Sequence, residues 1–562
     1  MYRERPYLKI KDSIKIITGY ENVIRYIYDM SNSIKYISFE TYPGVMKSTW
    51  IRELSRKFND WTIVDTDEFF YSTEVIENKI KPDLTDDKVF GRFSHIEFEE
   101  LLDRERIKNT LFNDKTIFIG ILASEIIDCE LNFYIDLTRW EIQKRYKRDM
   151  SNWKSSKNLS FDEKIKRSYY FEWPAADYIK KNKLENFDYY IDSTDEFTPN
   201  MVSTSDYKKI LLEFTKSPFR LVPFFAPGVW GGDWIKKQFN LDYHEVNLAW
   251  GFDGVPEENS IIAKLNSAEI EIPAQNLVFM FPKQLLGIKV FGKYGSDFPI
   301  RFDFLDTMNG QNLSLQVHPD IDYAYRKFGA KYTQNESYYI FHADKNSSVY
   351  LGVKNGVQKS ELVNKLKESQ KTNKFDDEKF INNFPVKTHD HISIPAGTIH
   401  SSGKDTVVLE ISSTPNRFTF KLWDWDRLDL NGKPRPISLH HGRNVINVDY
   451  DTDFVKKEFF NKLEIIKEKD DYVEERTGLY SSEDIETRRL TFSNEIIQST
   501  HESVNMLNLV EGSSIVIKSL DKSFDDFRIF YGETFIIPEK IKKYILKAEN
   551  NERVKVIKAF IR

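Results

Sequence analysis

Cysteine is nearly absent from this chain of 562 residues, where Cys129 is the only one. A disulfide within the chain and a zinc site built from thiolates are therefore both excluded. Charge of one sign is also lacking, because the formal net charge is only −6. No global basic field therefore indicates a nucleic-acid partner.

Long apolar runs are missing as well. No run approaches the ~18–20 apolar residues of a membrane span. The N-terminal residues MYRERPYLKIKDSIK lack the apolar centre of a secretory signal. The sequence therefore predicts a cytoplasmic protein with no membrane partner.

The length and the composition predict several domains. A chain of 562 residues is too long for one core, so about two to four domains are expected. The polar, turn-rich residues 194–204 predict a linker. We predict an α/β domain at 1–204, a mainly β domain at 205–449 and a second β domain at 450–562. Helical spacing over 357–384 predicts an insertion in the middle domain.

Residues with metal-ligand chemistry recur within the middle domain. Gln316 and His318 are two apart in the strand-like run NLSLQVHPD, so they share one face. Glu336 precedes the strand-like run SYYIFHA, and His400 follows the turn PAGT. Two imidazoles, one carboxylate and one amide oxygen suit a divalent cation such as zinc. The alternative is that each is an ordinary polar residue of a strand or loop.

These motifs also carry a family resemblance. QVHPD, a glutamate before an aromatic strand, and PAGTIH together resemble the type I mannose-6-phosphate isomerases, which are zinc-dependent cupins. The flanking segments at 223–239 and 418–439 resemble the same family, and the resemblance covers about residues 218–562. It implies jelly-roll (cupin) domains and zinc on the four residues named above. The C-terminal domain has the cupin pattern GETFIIP without a ligand set, so we predict that it is metal-free.

The resemblance implies an isomerase that interconverts mannose 6-phosphate and fructose 6-phosphate through an enediol. Such a site needs a base and a positive charge beside the developing enediolate. Glu410 is the predicted base, and its alternative role is a strand carboxylate paired with a surface cation. Lys421 stands where the family commonly has arginine, and Gln334 where it commonly has lysine. These departures leave open a zinc cupin that senses a phosphosugar without turnover, or that isomerises a different sugar.

A phosphate-binding pattern occurs near the N-terminus. The run KYISFETYPGVMKST predicts a strand, a tight turn and a helix that begins at Lys47, Ser48 and Thr49. A P-loop has this order, with backbone N–H groups and a lysine that reach phosphate oxygens. The motif departs at two positions, because its glycines are replaced by Thr41 and Met46.

Four further strand-like runs, WTIVD, KTIFIG, LNFYID and FDYYID, predict a parallel α/β sheet. Residues 34–195 thus resemble the uridine kinase and phosphoribulokinase group of P-loop kinases. That resemblance implies ATP and Mg²⁺ as ligands, Asp67 as the base, and Arg145 and Arg148 as a basic lid. Ile119 stands where the family usually has a glutamate that helps to hold magnesium. The alternatives are a domain kept for binding or for holding the isomerase, and a solvated helix face for the basic run.

Overall fold

The computed structural model describes residues 2–11, 13–265, 268–413, 417–428, 432, 435–478, 480, 483–550 and 552–562. Contacts divide the chain into two compact units. The N-terminal unit combines residues 7–213 with 260–281, and the C-terminal unit combines 1–6, 214–259 and 282–562. Residues 260–281, which the sequence analysis placed in the middle domain, therefore pack with the N-terminal unit. Among the described residues, no helix is both long enough and apolar enough to span a membrane.

A seven-stranded sheet is the centre of the N-terminal unit. In sheet order its strands are Ile17–Thr18, Asn200–Ser203, Tyr189–Asp192, Leu131–Asp136, Tyr36–Thr41, Thr116–Gly120 and Thr62–Asp65. The last five are parallel, as the alternation of strands and helices predicts. Every residue of Thr116–Gly120 is buried, as is typical of a parallel strand covered on both faces.

Helices connect the strands of this sheet. They are Tyr20–Met30, Lys47–Lys57, Thr73–Leu84, Arg104–Lys108, Arg139–Lys147, Phe161–Arg167, Trp173–Lys183, Thr204–Phe214 and Ala274–Met280. Ser72, Thr138 and Ser160 cap three of them, because their side-chain oxygens accept backbone N–H groups of the first turn. The segment 260–281 adds a small sheet of Leu8–Lys9, Ser260–Leu265 and Ala268–Pro273.

Two antiparallel sheets form the first β-sandwich of the C-terminal unit. The six-stranded sheet has the order His391–Ile394, Glu336–Ala343, Thr406–Ser413, Ile300–Asp306, Trp250–Gly254 and Phe224–Ala226. The five-stranded sheet has the order Ile381–Pro385, Ser348–Val353, His400–Ser402, Leu315–Val317 and Phe420–Trp423. Buried side chains of both sheets share one core, including Leu305, Ile340 and Val408 from the first and Val349 and Leu351 from the second.

Residues 463–561 form the second β-sandwich. Its six-stranded sheet has the order Leu463–Lys469, Tyr472–Thr477, Ile485–Phe492, Val554–Ile561, Asn505–Glu511 and Thr534–Ile537. Its four-stranded sheet has the order Glu495–Ser499, Lys543–Ala548, Ser514–Ser519 and Phe527–Phe530. The prediction of a mostly β region is confirmed, whereas its assignment to cupins stays a prediction.

The C-terminal unit also contains helices, most of which are short. They are Trp234–Gln238, Pro282–Leu286, Ile288–Tyr294, Ile321–Phe328, Lys359–Thr372, Asp377–Phe380, Leu439–Val445 and Thr452–Glu458. The helical pattern predicted over 357–384 ends early, at Phe380. Residues from Ile381 onward are a strand instead, because they pair with Ser348–Val353. Tertiary pairing thus overrides local helical spacing there.

Candidate metal centre

The four predicted metal ligands lie together in the first β-sandwich. His318 Nε2 is 3.0 Å from Glu336 Oε2, and His400 Nε2 is 2.8 Å from Glu336 Oε1. The amide nitrogen of Gln316 is 3.1 Å from His400 Nε2. All four side chains are buried. The donor atoms of the two histidines and the glutamate lie within 4.8 Å of one another.

Both sheets of the first β-sandwich contribute to this cluster. Gln316 and His400 are paired across neighbouring strands of the five-stranded sheet, so their side chains lie on one face. His318 follows two residues after Gln316 and continues along that face. Glu336 begins a strand of the six-stranded sheet. The carboxylate therefore reaches the imidazoles across the interior of the sandwich.

Backbone carbonyls orient the two imidazoles. His318 Nδ1 is 3.2 Å from the Phe418 carbonyl oxygen, and His400 Nδ1 is 2.9 Å from that of Thr398. A carbonyl only accepts, so each Nδ1 carries a proton, and Nε2 is the ring nitrogen that faces Glu336. This arrangement is typical of histidines that bind a metal through Nε2.

The remaining contacts fit a cation. The Nε2 atoms of two imidazoles converge on a carboxylate, and His318 Nε2 and Glu336 Oε1 have no hydrogen-bond partner within the described residues. The amide nitrogens of Gln316 and Gln334 lie against His400 Nε2 and Glu336 Oε2, respectively. This leaves His318 Nε2 and Glu336 Oε1 for a cation to satisfy. Gln316 turns its amide nitrogen toward His400, so ligation through its oxygen requires rotation of the amide. The donor set suits zinc.

Glu410 lies beside this cluster. It is buried in the strand Thr406–Ser413, directly opposite Tyr338 on one side and Asp303 on the other. Gln334 donates from Nε2 to Glu336 Oε2 at 3.1 Å and to Glu410 Oε1 at 3.5 Å. Burial, together with the charges of Asp303 and Glu336, raises the pKa of Glu410 well above its usual value.

Asp303 is a further buried carboxyl group beside Glu410 that was not predicted from the sequence. Burial raises the pKa of Asp303 to about 7, although the charge of Arg301 opposes the shift. The available signal was the pair of polar residues Arg301 and Asp303, two apart in the apolar run FPIRFDFLD.

Lys421 is on the strand next to that of Gln316, which brings it near the candidate ligands. Its Cα is paired with that of Gln316 across the five-stranded sheet, so the two side chains leave the same face. Lys421 is half-buried. The position fits a cation that adds to the charge of a metal ion in this cluster.

In the N-terminal unit, the structure brings Lys47 and Asp67 together. Lys47 Nζ is 2.6 Å from Asp65 Oδ1 and 2.5 Å from Asp67 Oδ2. Asp67 also accepts from Trp153 Nε1 at 2.8 Å, a contact that the sequence analysis did not anticipate. Ser48 and Thr49 lie in the first turn of the same helix as Lys47. The predicted phosphate-binding residues thus adjoin two carboxylates.

The two lid candidates lie in different environments. Arg145 is buried and donates to the carbonyl oxygens of Gly44 and Ser193, both at 2.9 Å. It therefore supports the turn before Lys47, where Gly44 adopts a φ of +107°. Arg148 is exposed and pairs with Glu141 at 2.7 Å. A lid role stays a prediction for both.

The N-terminal and C-terminal regions match different known proteins. Residues 19–216 match a family model described as a domain of unknown function, DUF8485. YvyI of Bacillus subtilis (strain 168), named provisionally as a mannose-6-phosphate isomerase, is 24% identical over 341 residues, which are 59% of this chain and 96% of YvyI. Over about its C-terminal 60% the chain is homologous to mannose-6-phosphate isomerases.

Further relatives of that kind agree with this assignment. The mannose-6-phosphate isomerase of Streptococcus mutans is 26% identical over 222 residues, which are 39% of this chain and 65% of that enzyme. The crystal structure of mannose 6-phosphate isomerase from Bacillus subtilis matches with a TM-score of 0.51 at 20% identity, over 61% of this chain and 100% of that chain. The likeness to the crystal structure concerns the fold.

Proposed function

We propose that this protein is a zinc-dependent aldose–ketose isomerase that interconverts mannose 6-phosphate and fructose 6-phosphate. The observation that carries the proposal is the convergence of His318, Glu336 and His400 beside the buried carboxyl group of Glu410. A group of metal-binding side chains alone is compatible with many reactions. Such a group with an adjacent buried carboxyl group suits proton transfer at a carbon next to a carbonyl.

Each residue has a role that follows from its position. Gln316, His318, Glu336 and His400 would hold zinc, which when bound supplies a Lewis acid for the sugar oxygens. Glu410 would take the proton from one carbon and return it to the other. Its raised pKa brings the carboxyl group closer to the range in which a general base works well near neutral pH. Gln334, which donates to both carboxylates, fixes the orientation of Glu410 relative to Glu336.

Metal removal tests this proposal. We expect the full chain to convert mannose 6-phosphate, to lose that activity on chelation, and to regain it when zinc is added, because the cluster contains ligands that suit zinc. Coupled detection of fructose 6-phosphate measures the rate, and mass spectrometry measures bound zinc. Zinc binding without conversion of mannose 6-phosphate would instead favour a phosphosugar sensor or an isomerase for another sugar.

The N-terminal unit has a second candidate function. We propose that it binds ATP with Mg²⁺ through Lys47, Ser48 and Thr49, with Asp67 facing the acceptor. The supporting observation is that Lys47 begins a helix and pairs with Asp67 at the end of a parallel sheet. Transfer of a phosphate to a hexose would supply the substrate of the proposed isomerase.

Calorimetry with the full chain tests nucleotide binding. Lys47→Ala is expected to weaken the affinity for magnesium ATP by about 10–100-fold, since hydrogen bonds to charged groups contribute on that order. Lys57→Ala, an exposed lysine at the end of the same helix, is the matched control and should bind as the unchanged chain does. If the unchanged chain binds no magnesium ATP, the unit serves another binding role or holds the isomerase.

A further inference from the structure

Several buried polar atoms without hydrogen-bond partners belong to residues on the strands beside the candidate metal ligands. Among the described residues, they include Gln334 Oε1, Tyr338 OH, Ser412 Oγ and Arg301 Nε. All four residues are more than nine-tenths buried. Buried polar groups are normally paired, and a cluster of unpaired ones indicates a missing polar partner. A cation between the imidazoles and Glu336 leaves these four atoms unexplained.

The strand register shows that Arg301 faces the interior of the first β-sandwich. Glu336 is directly opposite Ser412, and Ser412 is directly opposite Arg301. Directly opposite residues of an antiparallel sheet share a face. Glu336 contacts the histidines across the interior, so Ser412 and Arg301 point the same way. Two strand spacings, about 10 Å, separate the backbones of Glu336 and Arg301.

Within the described residues, no carboxylate lies within hydrogen-bond distance of the Arg301 guanidinium. Arg301 is 3% exposed, and its Nε is 3.9 Å from Glu257 Oε2, which is beyond hydrogen-bond distance. Asp303 leaves the same face two residues along. Glu410 also faces this way. Burial raises the pKa of both carboxyl groups and the charge of Arg301 lowers it, although neither forms a hydrogen bond with the guanidinium. A buried guanidinium with an unpaired nitrogen suits an anionic ligand.

We infer that Arg301 binds the phosphate group of the sugar substrate, with the Ser412 hydroxyl donating beside it. This inference rests on the proposed isomerase function. In a hexose 6-phosphate the reacting carbons C1 and C2 are at one end and the phosphate is at the other. The backbone of Arg301 lies two strands from that of the proposed metal ligand Glu336, a separation that suits the far end of the sugar. The planar fork of arginine matches phosphate oxygens in a bidentate manner.

Binding to the zinc-loaded full chain tests the inference without requiring turnover. Calorimetry would compare fructose 6-phosphate, fructose and inorganic phosphate as ligands. Arg301→Gln is expected to weaken the binding of fructose 6-phosphate by about 10–100-fold and to weaken that of inorganic phosphate as well. Zinc content and the weak affinity for fructose should not change. Arg326→Gln, an exposed arginine of the helix Ile321–Phe328, is the matched control.

Three outcomes would overturn the inference. They are equal affinity of Arg301→Gln and the unchanged chain for fructose 6-phosphate, an equal loss of fructose affinity, and no binding of fructose 6-phosphate by the unchanged chain. If Arg301→Gln does not fold, Arg301→Lys decides: weaker binding with zinc retained supports the lost bidentate contact, and unchanged binding contradicts it. If the chain binds fructose 6-phosphate through Arg301 without converting it, the isomerase proposal fails and this inference stands.

Discussion

Replacing Glu410 by glutamine is expected to leave zinc in place and to lower the isomerisation rate by about 10²–10⁴-fold, the usual contribution of a positioned base. Glutamine has nearly the same shape and keeps a carbonyl oxygen, but it cannot accept a proton from carbon. Since Glu410 lies outside the group of converging ligand atoms, the metal should remain. The turnover number for mannose 6-phosphate and the zinc content per chain are the two measurements.

Exchange with solvent separates a base from a structural carboxyl group. A base that moves a proton between C1 and C2 also exchanges that proton with solvent, so the unchanged enzyme in heavy water should place deuterium in the sugar. Glu410→Gln should lose this exchange together with turnover. Glu361→Gln, at an exposed position of the helix Lys359–Thr372, is the matched control and should retain both. Full exchange by Glu410→Gln would assign the proton transfer to another residue.

Part of the proposed ligand cluster follows from local rules of sequence spacing. Gln316 and His318 share a face through strand alternation alone. Spacing alone does not predict that Glu336 joins them from the opposite sheet, because this depends on how the two sheets pack. The family resemblance supplied that grouping, and the described contacts place the atoms within reach.

Arg301 and Asp303 show why other parts of the site were missed. Two polar residues at alternate positions of a strand usually mark a solvated face. Here the same alternation faces the interior, and only the register across Glu336, Ser412 and Arg301 shows it. Arg145 shows the reverse. Its basic run predicted an exposed lid, but the side chain is buried and donates to the backbone carbonyls of Gly44 and Ser193.

His400→Ala is expected to reduce zinc affinity by more than about 100-fold. Losing only a residue that hydrogen-bonds to a metal ligand typically costs about 10–100-fold. The substitution removes a donor atom itself. His400 Nε2 lies 2.8 Å from Glu336 Oε1, and its Nδ1 is fixed by the Thr398 carbonyl, so no neighbouring side chain replaces it. Competition with a chromophoric chelator measures the affinity, and isomerisation of mannose 6-phosphate should fall with zinc occupancy.

A graded series of variants distinguishes ligation from general damage to the fold. Gln316→Ala removes only a neutral amide that must rotate before its oxygen can bind, so zinc affinity should fall less than in His400→Ala. His342→Ala removes a half-buried histidine outside the ligand cluster and should keep full zinc binding and rate. Equal zinc loss in all three variants would mean that the sandwich itself had been disturbed. Full zinc binding by His400→Ala would place the metal elsewhere, and the proposed role of Glu410 would lose its basis.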